Sequence, residues 1–113
     1  MIELIVKNYL DSKLSVPSLM EKAEEPTESY CLIEKTSGSK RNHICTATIA
    51  IQSYARSLYE AAALNEGVKT AMEAIITLGS VSSCKLNSDY NFTDQSKKQY
   101  RYQAVFDLVY FDD

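Results

Sequence analysis

Tryptophan is absent from this chain of 113 residues, and histidine, proline and glycine are scarce. Three glycines are too few for the usual backbone cradle around a phosphate, and the chain has neither a dinucleotide-binding motif nor a P-loop motif. The single histidine is His43, which has no acidic residue beside it in the sequence. We find no Ser-x-Gly nucleophile elbow that could supply a partner serine. We therefore predict no catalytic residues and a protein that is not an enzyme.

Cysteine is present in an odd number, as Cys31, Cys45 and Cys84, with no C-x-x-C spacing. All three lie in strand-like stretches, where a reduced thiol acts as a small hydrophobic group. A zinc site would need more ligands than these thiols and one histidine supply. The oxygen-rich residues 87–94 lack the glycine and the terminal glutamate of a calcium loop, which favours a turn. The sequence thus predicts no metal and no cofactor.

Excess positive charge is also missing, since the net charge is −3 and the isoelectric point is about 5.1. This argues against sequence-specific or bulk electrostatic binding of nucleic acid, which requires a basic face. The longest uncharged run, residues 42–55, is too short and too polar to cross a bilayer. No signal peptide is visible. We expect a protein that is made and used inside a cell, without a membrane partner.

Residues 43–78 organise the predicted fold, because a strand leads directly into a long helix. Apolar side chains alternate from Cys45 to Ile51, and helical spacing follows as far as Leu78. Ser57 and Glu60 have capping-box spacing, which predicts the start of this helix. Gly67 lies in its middle; we expect a continuous helix there, a kink being the alternative. Gly79 is a suitable stop.

The other segments complete a sheet with a second helix. Helical spacing predicts a short helix over residues 2–13, and proline makes residues 16–20 a short edge strand. Further strands are expected at residues 30–35, 43–54, 81–91 and 100–111, with a turn at 36–42 and a polar loop at 93–98. The second face of the last strand becomes apolar towards Phe111, so the first helix or another subunit should cover it.

This order predicts a single α+β domain over residues 1–113. The domain should have a mainly antiparallel sheet of about five strands, with a short amino-terminal helix and one long helix packed on one face. The predicted order is α-β-β-β-α-β-β.

Charged segments of opposite sign are the features that point to assembly. Residues 21–28 form an acidic loop, and two basic segments lie at residues 40–41 and 97–101. Head-to-tail contacts between such segments can close a ring. The candidate subunit-interface residues are Glu21, Glu24, Glu25, Glu28, Lys40, Arg41, Lys97, Lys98 and Arg101.

The order of sequence segments along the chain resembles that of a known family. It begins with MIELI, passes through a proline-bearing acidic loop to YCLIE, continues through ATIAIQSYA and SLYEAA, and ends with the aromatic strand YRYQAVF. This pattern resembles the tail-terminator or tail-completion proteins of long-tailed phages and of prophages in Gram-positive bacteria. That group includes minor capsid and head–tail joining proteins.

The resemblance implies a structural virion protein that forms a ring, usually of six copies. Such a ring terminates the tail tube and contacts both the major tail tube protein and the head connector protein. DNA would only pass through its pore. The implied location is the head–tail junction of a virion, after synthesis in the bacterial host cytoplasm.

Two other functions stay open at the level of sequence. A monomeric α+β module could capture a peptide or small ligand at a sheet edge or beneath the long helix. A small enzyme would need His43 to meet a cysteine or an acid in a cleft after folding.

Overall fold

Two α-helices lie on one face of a five-stranded sheet in the computed structural model of the chain, which describes residues 1–22 and 29–111. The elements are α1 (Ile2–Lys13), β1 (Ser18–Leu19), β2 (Tyr30–Arg41), β3 (Ile44–Ala55), α2 (Leu58–Glu73), a 3-10 helix (Ile75–Leu78), β4 (Val81–Asn91) and β5 (Tyr100–Phe111). The predicted α+β class and the predicted order α-β-β-β-α-β-β are confirmed.

The strands lie side by side in the order β1-β2-β3-β5-β4. β1 is parallel to β2, and every other pair of neighbours is antiparallel. β3 and β5 pair without irregularity from Ile44–Phe111 to Ala55–Tyr100. We call the Ile44–Phe111 end of the sheet the hairpin end and the Ala55–Tyr100 end the loop end.

The core lies between both helices and one face of the sheet, here called the helix face. It contains buried side chains of α1, of α2 and of four strands, among them Val6, Leu10, Ile33, Ile49, Ile51, Val68, Met72, Phe106 and Leu108. The alternation predicted for β3 and β5 is confirmed by this burial. No described helix is long and apolar enough to cross a membrane.

The opposite face of the sheet, here called the open face, is covered by neither helix. The prediction that α1 would cover the second face of β5 is wrong, because α1 packs beside α2 in the same core. Phe111 on the open face is 49% exposed. Its cover by another subunit stays a prediction.

Helix α2 begins as predicted, since the Ser57 hydroxyl accepts a hydrogen bond from the Glu60 amide at 3.1 Å. It continues across Gly67 but ends at Glu73, and the prediction that it reaches Leu78 is wrong. The chain tightens into the 3-10 helix over β-branched Ile75, Ile76 and Thr77, whose stiff side chains weaken α-helix. Leu78 is consequently 44% exposed.

The β2–β3 hairpin is longer than predicted. The expected turn at residues 36–42 is wrong: β2 runs to Arg41, and Asn42 and His43 alone form the turn. Both have positive φ, 51° and 67°, as tight two-residue hairpin turns require. Pairing with the complete strand β3 outweighs the turn preference of Ser37, Gly38 and Ser39.

Strand β1 is shorter than the predicted 16–20, because only Ser18 and Leu19 pair. Pro17 has no amide hydrogen to donate, although its carbonyl accepts from the Cys31 amide at 3.0 Å. The predicted position at the edge of the sheet is confirmed.

Gly67, inside α2, and Gly79, which follows the 3-10 helix, should respond to alanine in opposite directions. Gly67→Ala should stabilise the protein by roughly 1 kcal/mol, because alanine is the better helix former and its Cβ would meet only Leu14 Cδ2, at 3.6 Å. Gly79→Ala should destabilise it by roughly 1 kcal/mol, because φ there is +77°. Urea denaturation of both variants checks this, and effects of equal sign would contradict it.

Candidate interaction surfaces

The predicted interface residues lie at two opposite ends of the sheet. Lys40 and Arg41 are exposed at the hairpin end, next to the Asn42–His43 turn. Lys97 and Lys98 are exposed in the loop between β4 and β5, at the loop end. Twelve residue pairs of β3 and β5 separate the two ends, a distance of about 36 Å.

The acidic stretch begins at the loop end. Glu21 is exposed, and the neighbouring Lys22 ammonium lies 3.4 Å from Gln99 Oε1 in the β4–β5 loop. The other predicted acidic residues, Glu24, Glu25 and Glu28, lie outside the described residues. The structure therefore brings the start of the acidic stretch near Lys97 and Lys98, and not near Lys40 and Arg41.

Arg101 differs from the other predicted interface residues because its side chain is used within the chain. Its guanidinium lies 4.4 Å from the Phe92 ring centroid and 5.6 Å from the Tyr54 ring centroid. It also donates to the Tyr54 hydroxyl at 2.8 Å and to the Phe92 carbonyl at 2.6 Å. These contacts tie β5 to its two neighbours on the open face.

A buried polar network continues from Arg101 across the open face. Gln52 Nε2 donates to Gln103 Oε1 at 2.9 Å, and the Tyr54 hydroxyl donates to Gln52 Oε1 at 2.9 Å. Gln103 in turn donates to the Tyr90 hydroxyl. Tyr54 also stacks on Tyr30 with ring centroids 4.6 Å apart. Satisfied polar groups of this kind order the loop end of the sheet.

The open face is different towards the hairpin end, where a shallow groove of about 430 Å³ is lined by small hydroxyl side chains. Asp107 lines this groove and accepts from Thr48 Oγ1 at 3.0 Å and from Asn87 Nδ2 at 2.9 Å. Lys85 is the residue directly opposite Asp107 on β4. The other hydroxyl residues of the groove are Ser37, Ser39, Thr46 and Ser83.

Exposed apolar side chains collect at the hairpin end. Ile44 and Phe111 are direct cross-strand neighbours on the open face, and each is 49% exposed. The Phe111 amide donates to the Ser80 carbonyl, two residues beyond exposed Leu78. Arg41 pairs with Ile44 across the hairpin, so cationic side chains flank the apolar ones.

Strong nucleophiles are not formed by the cysteines that the structure describes. Burial raises the pKa of the Cys31 thiol to about 12 and that of the Cys84 thiol to about 11, so both stay protonated at neutral pH. Cys45 is buried, whereas His43 is exposed in the hairpin turn. All three cysteines are free thiols.

The oxygen-rich segment 87–94 contains strand and turn. Residues 87–91 belong to β4, and Asp94 Oδ1 accepts from the Ser96 amide at 3.1 Å and from the Ser96 hydroxyl at 2.7 Å. These bonds are typical of an Asx turn. Within residues 1–22 and 29–111, no three His, Cys, Asp or Glu side chains form a group that could hold a metal ion.

Sequence reasoning missed the buried network and treated Arg101 as a surface charge. The alternation in β3 and β5 does place Tyr54, Gln52, Gln103 and Arg101 on one face. However, that pattern is equally typical of a solvated face, and only the strand order shows that these residues adjoin.

Arg101→Ala should lower the free energy of unfolding by about 2 kcal/mol, because it removes two cation–π contacts and two hydrogen bonds. Lys97→Ala, a matched control in the exposed loop, should change it by less than about 0.5 kcal/mol. Chemical denaturation measures both. If Arg101→Ala lowered the free energy of unfolding no more than Lys97→Ala does, the Arg101 contacts would contribute nothing to stability.

Stability should fall as the pH rises from 9 towards 11. The pKa of Cys31 is raised from 9.0 to about 12 in the fold, so the unfolded chain loses a proton that the native chain retains. Urea denaturation across this range should give a shallower decline for Cys31→Ala than for the wild type. An identical slope would show that the buried thiol does not link folding to pH.

Sequence comparison assigns no family to this chain: no family model matches it, and no curated protein is significantly similar to it. Any function proposed for the chain therefore depends on its residues, its fold and its surfaces.

Proposed function

We propose that this chain is a structural subunit that assembles with copies of itself into a ring, which terminates a phage tail tube and joins it to the head connector. In this function the protein acts by shape and charge, breaks no bonds and has no need of a cofactor. The α-β-β-β-α-β-β order agrees with the small α+β subunit that the resemblance implies.

The observation that carries the proposal is the apolar hairpin end. Ile44, Phe111 and Leu78 leave nearly half of each side chain accessible, and Lys40 and Arg41 lie beside them. Exposed apolar side chains rimmed by charge are typical of protein–protein interfaces. We assign this end to contact with the tail tube protein or the connector protein.

The charged loop end supports self-association. Glu21, the first residue of the acidic stretch, lies at this end with Lys97 and Lys98, so two copies placed side by side can bring Lys97 and Lys98 of one near the acidic residues 21–28 of the next. In this contact the acidic partners are the predicted interface residues Glu21, Glu24, Glu25 and Glu28. Lys40 and Arg41 lie about 36 Å away, at the end that we assign to the tail tube protein or the connector protein.

The charge of the chain suits a pore through which DNA slides. A net charge of −3 repels a phosphate backbone, and Lys85 is the only lysine or arginine among the residues that line the open-face groove. The protein would then act at the head–tail junction of a virion without binding the DNA tightly.

A monomeric module that captures a peptide at a sheet edge is the second candidate. The observation in its favour is that β2 and β4 lie at the two sides of the antiparallel part of the sheet, where an added strand could pair. Oligomeric state separates the two functions, because the module would work as a single copy.

Analytical ultracentrifugation at rising protein concentration, with electron microscopy of the same samples, tests the proposal. We expect a concentration-dependent species that appears as closed rings and dissociates as salt rises, because exposed charge pairs are screened. Lys97→Glu with Lys98→Glu should shift the equilibrium towards monomer at low salt. Tyr59→Glu with Ala63→Glu, a control that adds two acidic side chains on the exposed side of α2 and away from both sheet edges, should retain the rings.

Open filaments or a monomer at every concentration and salt level would contradict ring formation. A monomer that binds an extended peptide with the stoichiometry of one would support the second candidate. Circular dichroism of each double variant confirms that a loss of rings is not a loss of fold.

A further inference from the structure

The sheet ends in two strand edges that no described strand covers. β1 pairs only with Cys31 and Leu32, so the outer side of β2 from Ile33 to Ser39 has no partner strand within residues 1–22 and 29–111. On the other side of the sheet, β4 is the last described strand along its whole length. Backbone groups at such edges are available for pairing with another strand.

The directions of the two edge strands are complementary. β2, β3, β5 and β4 alternate in direction, so β2 and β4 run opposite ways. A second copy in the same orientation, placed beside the first, would bring its β2 against β4 as an antiparallel neighbour. Along the part of β2 that β1 leaves uncovered, the alternation of strand directions would then continue from one copy to the next.

Backbone orientation agrees with this arrangement. The Cys31 amide donates outward to Pro17, so Ile33 and Lys35, at two-residue spacing, also direct their backbone groups outward. The Phe92 amide donates inward to Arg101, which leaves Asp89 facing outward. Ile33 belongs to the core and Asp89 bonds to Asn65 of α2, so on both edges these residues have side chains on the helix face.

Both edges carry a β-bulge at one common height, and β4 has a further register shift, between Val81 and Ser83, that β2 does not share. The pairing of β2 shifts between Lys35 and Ser37, next to Ile49 of β3, and that of β4 shifts between Leu86 and Ser88, next to Phe106 of β5. Ile49 and Phe106 are themselves a direct pair, so the two bulges lie within one residue of each other along the strands.

β-Bulges and lysines on edge strands also hinder pairing with the strands of unrelated proteins. That role explains why neither edge is flat, but it does not account for two irregularities at one height. A flat peptide strand would be mismatched at either bulge, whereas a second copy presents an irregularity of its own at the corresponding level. The match therefore favours a copy of this chain over a foreign peptide.

We propose that neighbouring copies in the ring join by pairing the β2 edge of one with the β4 edge of the next, so that one antiparallel sheet runs through successive subunits. The inference rests on the self-association proposed above and names its contact. The contact is heterologous, as a closed ring requires. All helices then lie on one side of the joined sheet and all open faces on the other.

Cysteine cross-linking tests the contact directly. Leu86→Cys with Cys84→Ser places one thiol on the β4 edge, and Lys35→Cys places a second at the same height on β2. With a short bifunctional maleimide, we expect a ladder of covalent oligomers from the variant that carries both thiols. Either thiol alone, or Lys35→Cys combined with Ala63→Cys on the exposed side of α2, should give no ladder.

A matched pair of substitutions gives a second readout. Leu86 on the β4 edge is 50% exposed and Ile76 on the 3-10 helix is 49% exposed. Leu86→Glu should raise the dissociation constant of the ring by about tenfold, since a buried unpaired carboxylate costs more than 1.4 kcal/mol. Ile76→Glu should leave that constant unchanged, and thermal melts should show both variants folded.

Rings that form without a ladder from the two edge thiols, and with equal responses to Leu86→Glu and Ile76→Glu, would overturn the edge contact and leave the proposed function standing. A wild-type protein that stays monomeric at every concentration would overturn both.

Discussion

The regular pairing of β3 with β5 is the constraint on which the rest of this structure depends. Twelve consecutive residue pairs join the amino-terminal hairpin to the carboxy-terminal one, and no bulge interrupts them. Because β3 leads into α2 and α2 leads towards β4, the same pairing also places the long helix across the middle of the sheet. This register fixes the relative heights of the β3 and β5 side chains on both faces, and β2 and β4 take their heights from their own pairing with these two strands.

The two faces of the sheet differ in the side chains that they carry. The helix face is apolar and holds the core, whereas the open face carries an aromatic and amide network at the loop end and a hydroxyl-lined groove at the hairpin end. Along the other axis, the loop end carries the start of the acidic stretch together with Lys97 and Lys98, whereas the hairpin end carries Lys40 and Arg41. A subunit with distinct ends and distinct edges can meet different neighbours in different directions.

Periodicity was sufficient to predict most of the fold. α1, the start of α2 and strands β4 and β5 follow from the spacing of apolar residues and from the Ser57 cap. The failures have two causes: strand pairing outweighed a local turn preference, and β-branched side chains shortened the helix. Ser37, Gly38 and Ser39 prefer turns but pair with β3, while Ile75 and Ile76 fit an apolar stripe but crowd the helix backbone. The edges and the role of Arg101 required the strand order, which periodicity does not contain.

The two-residue turn at Asn42 and His43 has a consequence for how the chain folds. β2 and β3 are neighbours in sequence, so their hairpin closes a very small loop, while β3 and β5 must find each other across the whole of α2 and β4. Closing the larger loop costs more chain entropy, and non-local pairing slows folding. The first hairpin therefore supplies a template on which the last strand docks, and until that docking the backbone edge of β3 that pairs with β5 stays open to strands of other newly made chains.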